Sequence, residues 1–331
     1  MTDTSGGPAG STGAGGGFGV RHLRISAEVA GQRVDNFLLA QLRGVPRSLV
    51  YRLLRRGEVR VNKGRAKPHQ RLETGDEVRI PPVRTAAPTA AVTPPRGLTA
   101  RLAESILYED DRVLVLDKPA GVAVHGGSGI THGVIEALRA ARPGAELELV
   151  HRLDRDTSGC LIIAKRRSAL RFLHAQLRGD AVYKRYQALL LGPLAARVQR
   201  VELPLRKNLL QGGERMVRVD HADGKLALTV FRRAAAFGGM TLADVELHTG
   251  RTHQIRVHAA SIGAPVAGDE KYGRPEDQVV ARALGLRRLF LHAAELRFRP
   301  REDAPPVTVT APLPADLGAV LGRAEEYARA L

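Results

Sequence analysis

The 331-residue chain contains one cysteine, Cys160, and no tryptophan. A disulfide framework and a thiolate zinc cluster within the chain are therefore excluded. Aromatic residues make up 4%, too few for a single-strand binder that works mainly by base stacking. No run approaches the roughly 18 apolar residues that a membrane span needs. The first twenty residues, MTDTSGGPAGSTGAGGGFGV, lack the basic start and apolar stretch of a secretion signal, which leads to the expectation of a cytoplasmic protein. Acidic residues are also scarce, 34 against 51 lysines and arginines, for a net charge of +17. That imbalance points to a polyanionic partner. What is present is enough apolar residue, 44%, to bury a substantial core.

Residues 1–20 are Gly-, Ser- and Thr-rich and read as a disordered tail. An Ala/Pro/Thr-rich stretch, 84–101, reads as a linker between a small domain, 21–83, and a larger one, 102–331. In the small domain Val34, Phe37, Leu38 and Leu42 have helical spacing, and Gly44 ends that helix. Pro46 suits the start of a second helix whose apolar stripe is Leu49, Val50, Leu53 and Leu54. Arg47, Arg52, Arg55 and Arg56 fall largely off that stripe. The alternating segments Glu58–Asn62 and Asp76–Ile80 read as strands. Residues 33–84 carry 13 Lys/Arg against 5 Asp/Glu, a net of +8. No acids four residues away lace the helix arginines, so a nucleic-acid face is the stronger reading than a merely solvated one.

The large domain mixes strand patterns with fewer helices and lacks regular βαβ alternation, so the expected fold is α+β with a mixed sheet. GGSGIT (Gly126–Thr131) lacks the Gly-Lys-Ser/Thr ending of a phosphate loop. His253 and His258 have no zinc-binding spacing, and Cys160 reads as a small buried hydrophobe. Neither metal nor organic cofactor is indicated. The remaining candidate is HRLDRDTSG, His151–Gly159. If this segment were extended, Asp154 and Asp156 would share one face about 6.6 Å apart, a spacing reminiscent of glycosidase carboxylates. Asp156 also suits a plain turn-capping role. Asp154, nearer the end of an apolar strand, would need a cation, and Arg251 is a candidate. Such a neighbour lowers an aspartate pKa by about 1–3. Spacing alone leaves open whether the two meet.

Two resemblances sharpen these readings. Arg33–Pro82 resembles an S4 domain, a small RNA-binding module. HRLDRDTSGCLIIAK, YKRY (Tyr183–Tyr186), TGRTHQIRVHAASIGAPVAGDEKYG, LDKPAG and RLFLHAAEL together resemble the RluA family of pseudouridine synthases. GVPRSLVYRLLRRGEVRVN and VHGGSG are most similar to the group that acts on three uridines of 23S ribosomal RNA. The resemblance implies a largely antiparallel mixed-sheet catalytic domain, and 23S rRNA or a large-subunit precursor as partner. It makes Asp154 the nucleophile, paired with Arg251, and Tyr186 the ring that stacks on the target base. Arg152 fills the gap left by the flipped uridine, Ile255 walls the pocket, and Arg47, Arg52, Arg55 and Arg56 dock RNA. A monomer without cofactor is expected. An RNA N-glycosylase and a catalytically silent S4-type binder are the rival readings. Glycal chemistry is preferred over direct attack on the sugar.

Overall fold

The computed structural model describes residues 19–42, 45, 47–83, 94–126, 132–211 and 214–329. Most of the expected tail and of the linker, the Gly44 and Pro46 helix boundaries, the Arg47 side chain and most of the GGSGIT loop lie outside them. The chain divides into two compact units, Met1–Val92 and Thr93–Leu331.

The first unit contains β1 (Arg21–Arg24), α1 (Val34–Gln41), α2 (Arg47–Arg56), β2 (Arg60–Val61), β3 (Gly64–Arg65) and β4 (Glu77–Ile80). Its antiparallel sheet runs β1-β4-β2-β3. The predicted stripes meet in one core: Val34, Phe37, Leu38 and Leu42 pack with Val50, Leu53, Leu54, Val61, Val78 and Ile80. Burying them leaves Arg52, Arg55 and Arg56 exposed on the remaining face of α2. Asp35, 2% exposed, ties the helices together: Arg33 grips it with two hydrogen bonds (3.0 and 2.6 Å), and the Tyr51 hydroxyl donates at 3.0 Å. Only the middle of the Glu58–Asn62 segment is strand, because Asn62 and Lys63 adopt positive φ and turn the chain.

The second unit opens with α3 (Arg96–Glu104). Helix therefore begins inside the stretch expected to be linker, since Leu102 is fully buried in the larger core. There follow β5 (Ile106–Glu109), β6 (Val113–Lys118), α4 (Val134–Ala141), β7 (Glu148–Leu149), β8 (Ser158–Ala164), α5 (Arg167–Arg178) and β9 (Tyr183–Leu190). Next come β10 (Val198–Glu202), the hairpin β11 (Leu205–Gln211) and β12 (Glu214–Val219), then β13 (Leu228–Phe237) and β14 (Met240–Leu247). The chain finishes with α6 (Gln254–Ser261), α7 (Pro275–Ala283), β15 (Leu291–Phe298), β16 (Val307–Thr310) and α8 (Ala315–Arg329). A ten-stranded sheet runs β10-β13-β14-β9-β15-β8-β6-β5, with β16 on β15 and β7 on β8. Among the described residues only β8 and β15 pair in parallel, so the mixed, largely antiparallel α+β expectation holds.

The apolar runs of β6 and β8 are continuous because both faces are covered. Leu114, Leu116, Leu161 and Ile163 enter one core, while Val113, Val115, Cys160 and Ile162 enter the other. Burial pushes the Cys160 thiol up to about 12, and its Sγ lies against the Ala294 and Val309 carbonyls. Gly159, at φ +107°, allows β8 to approach β15, since a Cβ there would collide with the Ala293 carbonyl oxygen. No helix among the described residues is long and apolar enough to cross a membrane.

Glu109 clamps β5 to its surroundings, accepting from Arg142 at 2.9 Å and Lys165 at 2.7 Å. The Arg142 hydrogen bond first, then Lys165, hold its carboxyl near 2 against the opposing effect of burial. Because this lies below the ordinary value of 4.5, the clamp is complete above about pH 4.5 and is lost as pH falls toward 2. Glu109→Gln is expected to flatten the acid-unfolding profile over that window by roughly 1–2 kcal/mol, after solvent screening. Denaturant titrations at stepped pH check this; an unchanged profile would remove Glu109 from the acid response.

Candidate active site

The loop between β7 and β8 carries His151–Thr157, and it is not extended. Arg155 and Asp156 form a turn, and the Thr157 N–H donates to the Asp154 carbonyl at 3.2 Å. Asp154 and Asp156 therefore do not stand on one strand face as a straight chain would place them. Asp156 is met by the exposed Arg155 at 3.3 Å, a surface pair of little energetic weight.

Buried Leu153 anchors one side of the loop, and Lys118 holds the other. The Lys118 ammonium, fully buried, donates to the carbonyls of Pro119 (2.8 Å), Val122 (2.8 Å) and Arg155 (3.0 Å). Burial pushes its pKa down to about 7. The LDKPAG turn and the residue after Asp154 are thereby fastened to one nitrogen.

Asp154 lines a cavity of about 550 Å³ together with Arg152, Lys184, Tyr186, Arg251, Ile255 and Arg256. Its partner differs from the one expected. The Arg256 Nη1 donates to Asp154 Oδ2 at 3.4 Å, while Arg251 is exposed and sends its Nε to the Leu226 carbonyl at 3.2 Å. The backbone explains the exchange. His253 takes a left-handed conformation (φ 52°) at the N-terminus of α6, and Gln254 fastens the preceding turn. The Gln254 side chain accepts from the Arg251 N–H at 3.0 Å and donates to the Leu228 carbonyl at 2.9 Å. Arg251 is thus held ahead of the helix, whereas Arg256 lies on it, one residue after buried Ile255.

Arg256 is itself oriented by Asp269, whose side chain is fully buried: two hydrogen bonds of 2.7 Å form a fork that leaves Nη1 for Asp154. Asp269 also accepts the N–H groups of Lys271 and Tyr272. Although burial opposes it, the Asp269 hydrogen bonds and the charges of Asp269 and Asp154 hold the guanidinium pKa above its ordinary value. The Tyr272 ring lies 5.1 Å beneath that guanidinium, and its hydroxyl meets His253 Nδ1 at 2.7 Å. His253 Nε2 stands 3.8 Å from Asp154. Sequence reading missed both Arg256 and Asp269, although both lie in the TGRTHQIR…GDEKYG segment. The helix start at Gln254 was the missing datum.

Tyr186 rises from β9 with only 7% exposure. Burial first, and the Asp154 charge second, raise its pKa, so it is a neutral phenol at physiological pH. Arg152 is exposed at the rim, and Ile255 walls the cavity from α6 at 3% exposure. The cavity thus brings together Asp154, Tyr186, Arg152 and Ile255. Among the described residues no group of three or more His, Cys, Asp or Glu is placed to hold a metal ion.

Comparison with known proteins identifies the family. Residues 112–261 match the RNA pseudouridylate synthase family, and residues 32–78 match the S4 domain. The chain is 54% identical to "Ribosomal large subunit pseudouridine synthase C" of Salmonella typhi, over 90% of this chain and 94% of that protein. The protein of the same name in Escherichia coli (strain K12) is 56% identical over 84% and 88%, respectively. That of Haemophilus influenzae is 50% identical over 93% and 96%. Among solved structures, human RNA Pseudouridylate Synthase Domain Containing 1 superposes with a TM-score of 0.53 at 27% identity, covering 69% of this chain and 95% of that one. Human RNA Pseudouridylate Synthase Domain Containing 4, at 24% identity and a TM-score of 0.58, shares the fold over the same 69% of this chain. With relatives this similar along most of its length, the chain belongs to the RNA pseudouridylate synthase family and carries an S4 domain ahead of the synthase unit.

Proposed function

We propose that this synthase isomerises uridine to pseudouridine in the ribosomal RNA of the large subunit, at the three 23S positions expected of its group, with Asp154 as nucleophile. The observation that carries the reading is Asp154 itself: a carboxylate opening into the cavity, anchored through Arg256 and Asp269, with a neutral phenol beside it.

The N1–C1′ bond breaks, the uracil turns, C5 bonds to C1′, and the C5 hydrogen leaves while N1 gains one. Flipping the target out of folded RNA costs a few kcal/mol. Arg152 at the rim fills the vacated position, Tyr186 stacks on the uracil and Ile255 closes the pocket beneath it. Keeping the uracil enclosed between these walls prevents hydrolysis to an abasic site. The first unit, with Arg52, Arg55 and Arg56 exposed, docks the RNA, with Arg47 on the same helix. The enzyme works as a cytoplasmic monomer, and an isomerisation of this kind requires no cofactor.

Incubating the full chain with 23S rRNA carrying C5-tritiated uridine is expected to release tritium without releasing uracil, with pseudouridine mapping to three sites. Free labelled uracil would instead establish a glycosylase, and RNA binding without release of either would establish a silent binder.

A further inference from the structure

Strand β9 alternates its faces, and its two basic residues meet opposite fates. Arg185, on one face, is satisfied by Asp244 at 2.8 Å and Glu295 at 3.0 Å. Beside it on that face, Tyr183 lies 5.2 Å beneath the Arg297 guanidinium. Lys184, on the other face with Tyr186, is 8% exposed and lines the Asp154 cavity. It has no hydrogen-bond or ion-pair partner among the described residues. Asp180, the acid that acts on it through its charge, is engaged by His248 at 3.0 Å.

An ammonium that no protein group pairs is costly wherever water is excluded from it; the Lys184 nitrogen is not among the fully enclosed partnerless atoms and opens into the cavity. The chain avoids that cost at Lys118, where three carbonyls surround the nitrogen. At Lys184 burial lowers the pKa with little to oppose it. The rest of the lining has the same bias. Arg152, Arg178, Arg251 and Arg256 share the cavity with Lys184, and Asp154 is its one carboxylate among the described residues. Asp154 already faces Arg256, so the lining is left with a surplus of positive charge that an anionic ligand would match. Uracil is neutral and cannot provide the negative charge; the sugar–phosphate backbone can. Lys184 and Tyr186 lie two residues apart on one strand face, about 6.6 Å along the chain. That separation suits a cation that meets the backbone of a nucleotide whose base lies on the tyrosine.

We infer that Lys184 is the seat for a backbone phosphate next to the flipped uridine. This rests on the function proposed above. The subsite takes a phosphodiester of the substrate strand, and free inorganic phosphate would compete for it.

The test uses the full chain with Asp154→Asn, which stops turnover, and measures affinity for a synthetic RNA hairpin carrying one mapped target uridine. Adding Lys184→Met, close in shape but uncharged, is expected to weaken binding about tenfold or more, the size of a lost charge-assisted contact. It should flatten the log–log salt dependence by about 0.7–0.9. Lys184→Arg should restore most of the affinity. Because Lys184→Met removes a charge that no protein group pairs and keeps the apolar stem, its melting temperature should equal or exceed that of the parent, which separates a lost contact from a lost fold. A neutral methylphosphonate at the linkages flanking the target should weaken binding to the parent and leave binding to Lys184→Met unchanged. Inorganic phosphate should compete with the RNA for the parent more than for the variant. Unchanged affinity and salt slope in Lys184→Met, or an equal methylphosphonate penalty in both proteins, would overturn the subsite. Tritium release by the protein with Asp154 intact reports separately on the reaction, so failure of one reading does not conceal failure of the other.

Discussion

Asp154→Asn is expected to abolish isomerisation while leaving fold and RNA affinity nearly intact. The substitution removes charge with almost no change of shape. Arg256 keeps its two-pronged contact with Asp269, so no buried cation is abandoned. Loss of a nucleophile typically lowers turnover by about 10⁴-fold or more, whereas RNA binding should stay within a few-fold. Asp156→Asn is the control. Its carboxylate meets the exposed Arg155, so turnover should remain within a few-fold of the parent. Single-turnover tritium release from C5-labelled 23S rRNA, run beside filter binding, reads both. Equal loss from the two substitutions would restore the glycosidase-like pair that the bent loop argues against.

Arg256→Met is expected to be the most damaging change to the structure around the site. It strips the partner from Asp154 and also from Asp269, whose side chain is fully buried. Leaving a buried charge uncompensated typically costs about 3–5 kcal/mol. Arg256→Lys retains a charge but not the planar fork that serves two carboxylates, so it should fold and lose at least about tenfold in turnover. Arg251→Met should spare turnover, since that side chain reaches the Leu226 carbonyl and not Asp154, and any effect should fall on RNA affinity. Denaturant melts and single-turnover rates on the three variants decide the matter. Full turnover in Arg256→Met alongside none in Arg251→Met would reverse the assignment.

The difference between those two arginines shows where sequence reading stops. Periodicity located α1 and α2, because their apolar stripes repeat at helical spacing and are buried as such. The HRLD segment was legible as chemistry because a carboxylate between apolar strands has few bland explanations. Pairing across about a hundred residues was not, because it depends on one backbone angle. Histidine is enriched among the non-glycine residues at positive φ, but the conformation is uncommon even for it, and φ 52° at His253 sets where α6 begins. That start decides which arginine faces Asp154. The extent of the linker was misjudged for a related reason: its Ala/Pro/Thr composition runs on to Ala100, although α3 has already begun at Arg96. α8 was also unread, although Leu317, Val320 and Ala324, which it buries, recur at helical spacing.

The position of β15 bears on when in its own synthesis the enzyme becomes competent. β8, which follows the Asp154 loop, pairs with β6 on one side and β15 on the other, and β9, which carries Tyr186, also leans on β15. β6 leaves the ribosome before β8 does, whereas β15 follows β8 by more than a hundred residues. Until then the inner edges of two central strands stay open, the kind of exposed edge that invites mispairing. The first unit has no such wait, since its last strand ends at Ile80. A growing chain therefore presents its arginine-bearing helix long before the strands around the Asp154 cavity can close.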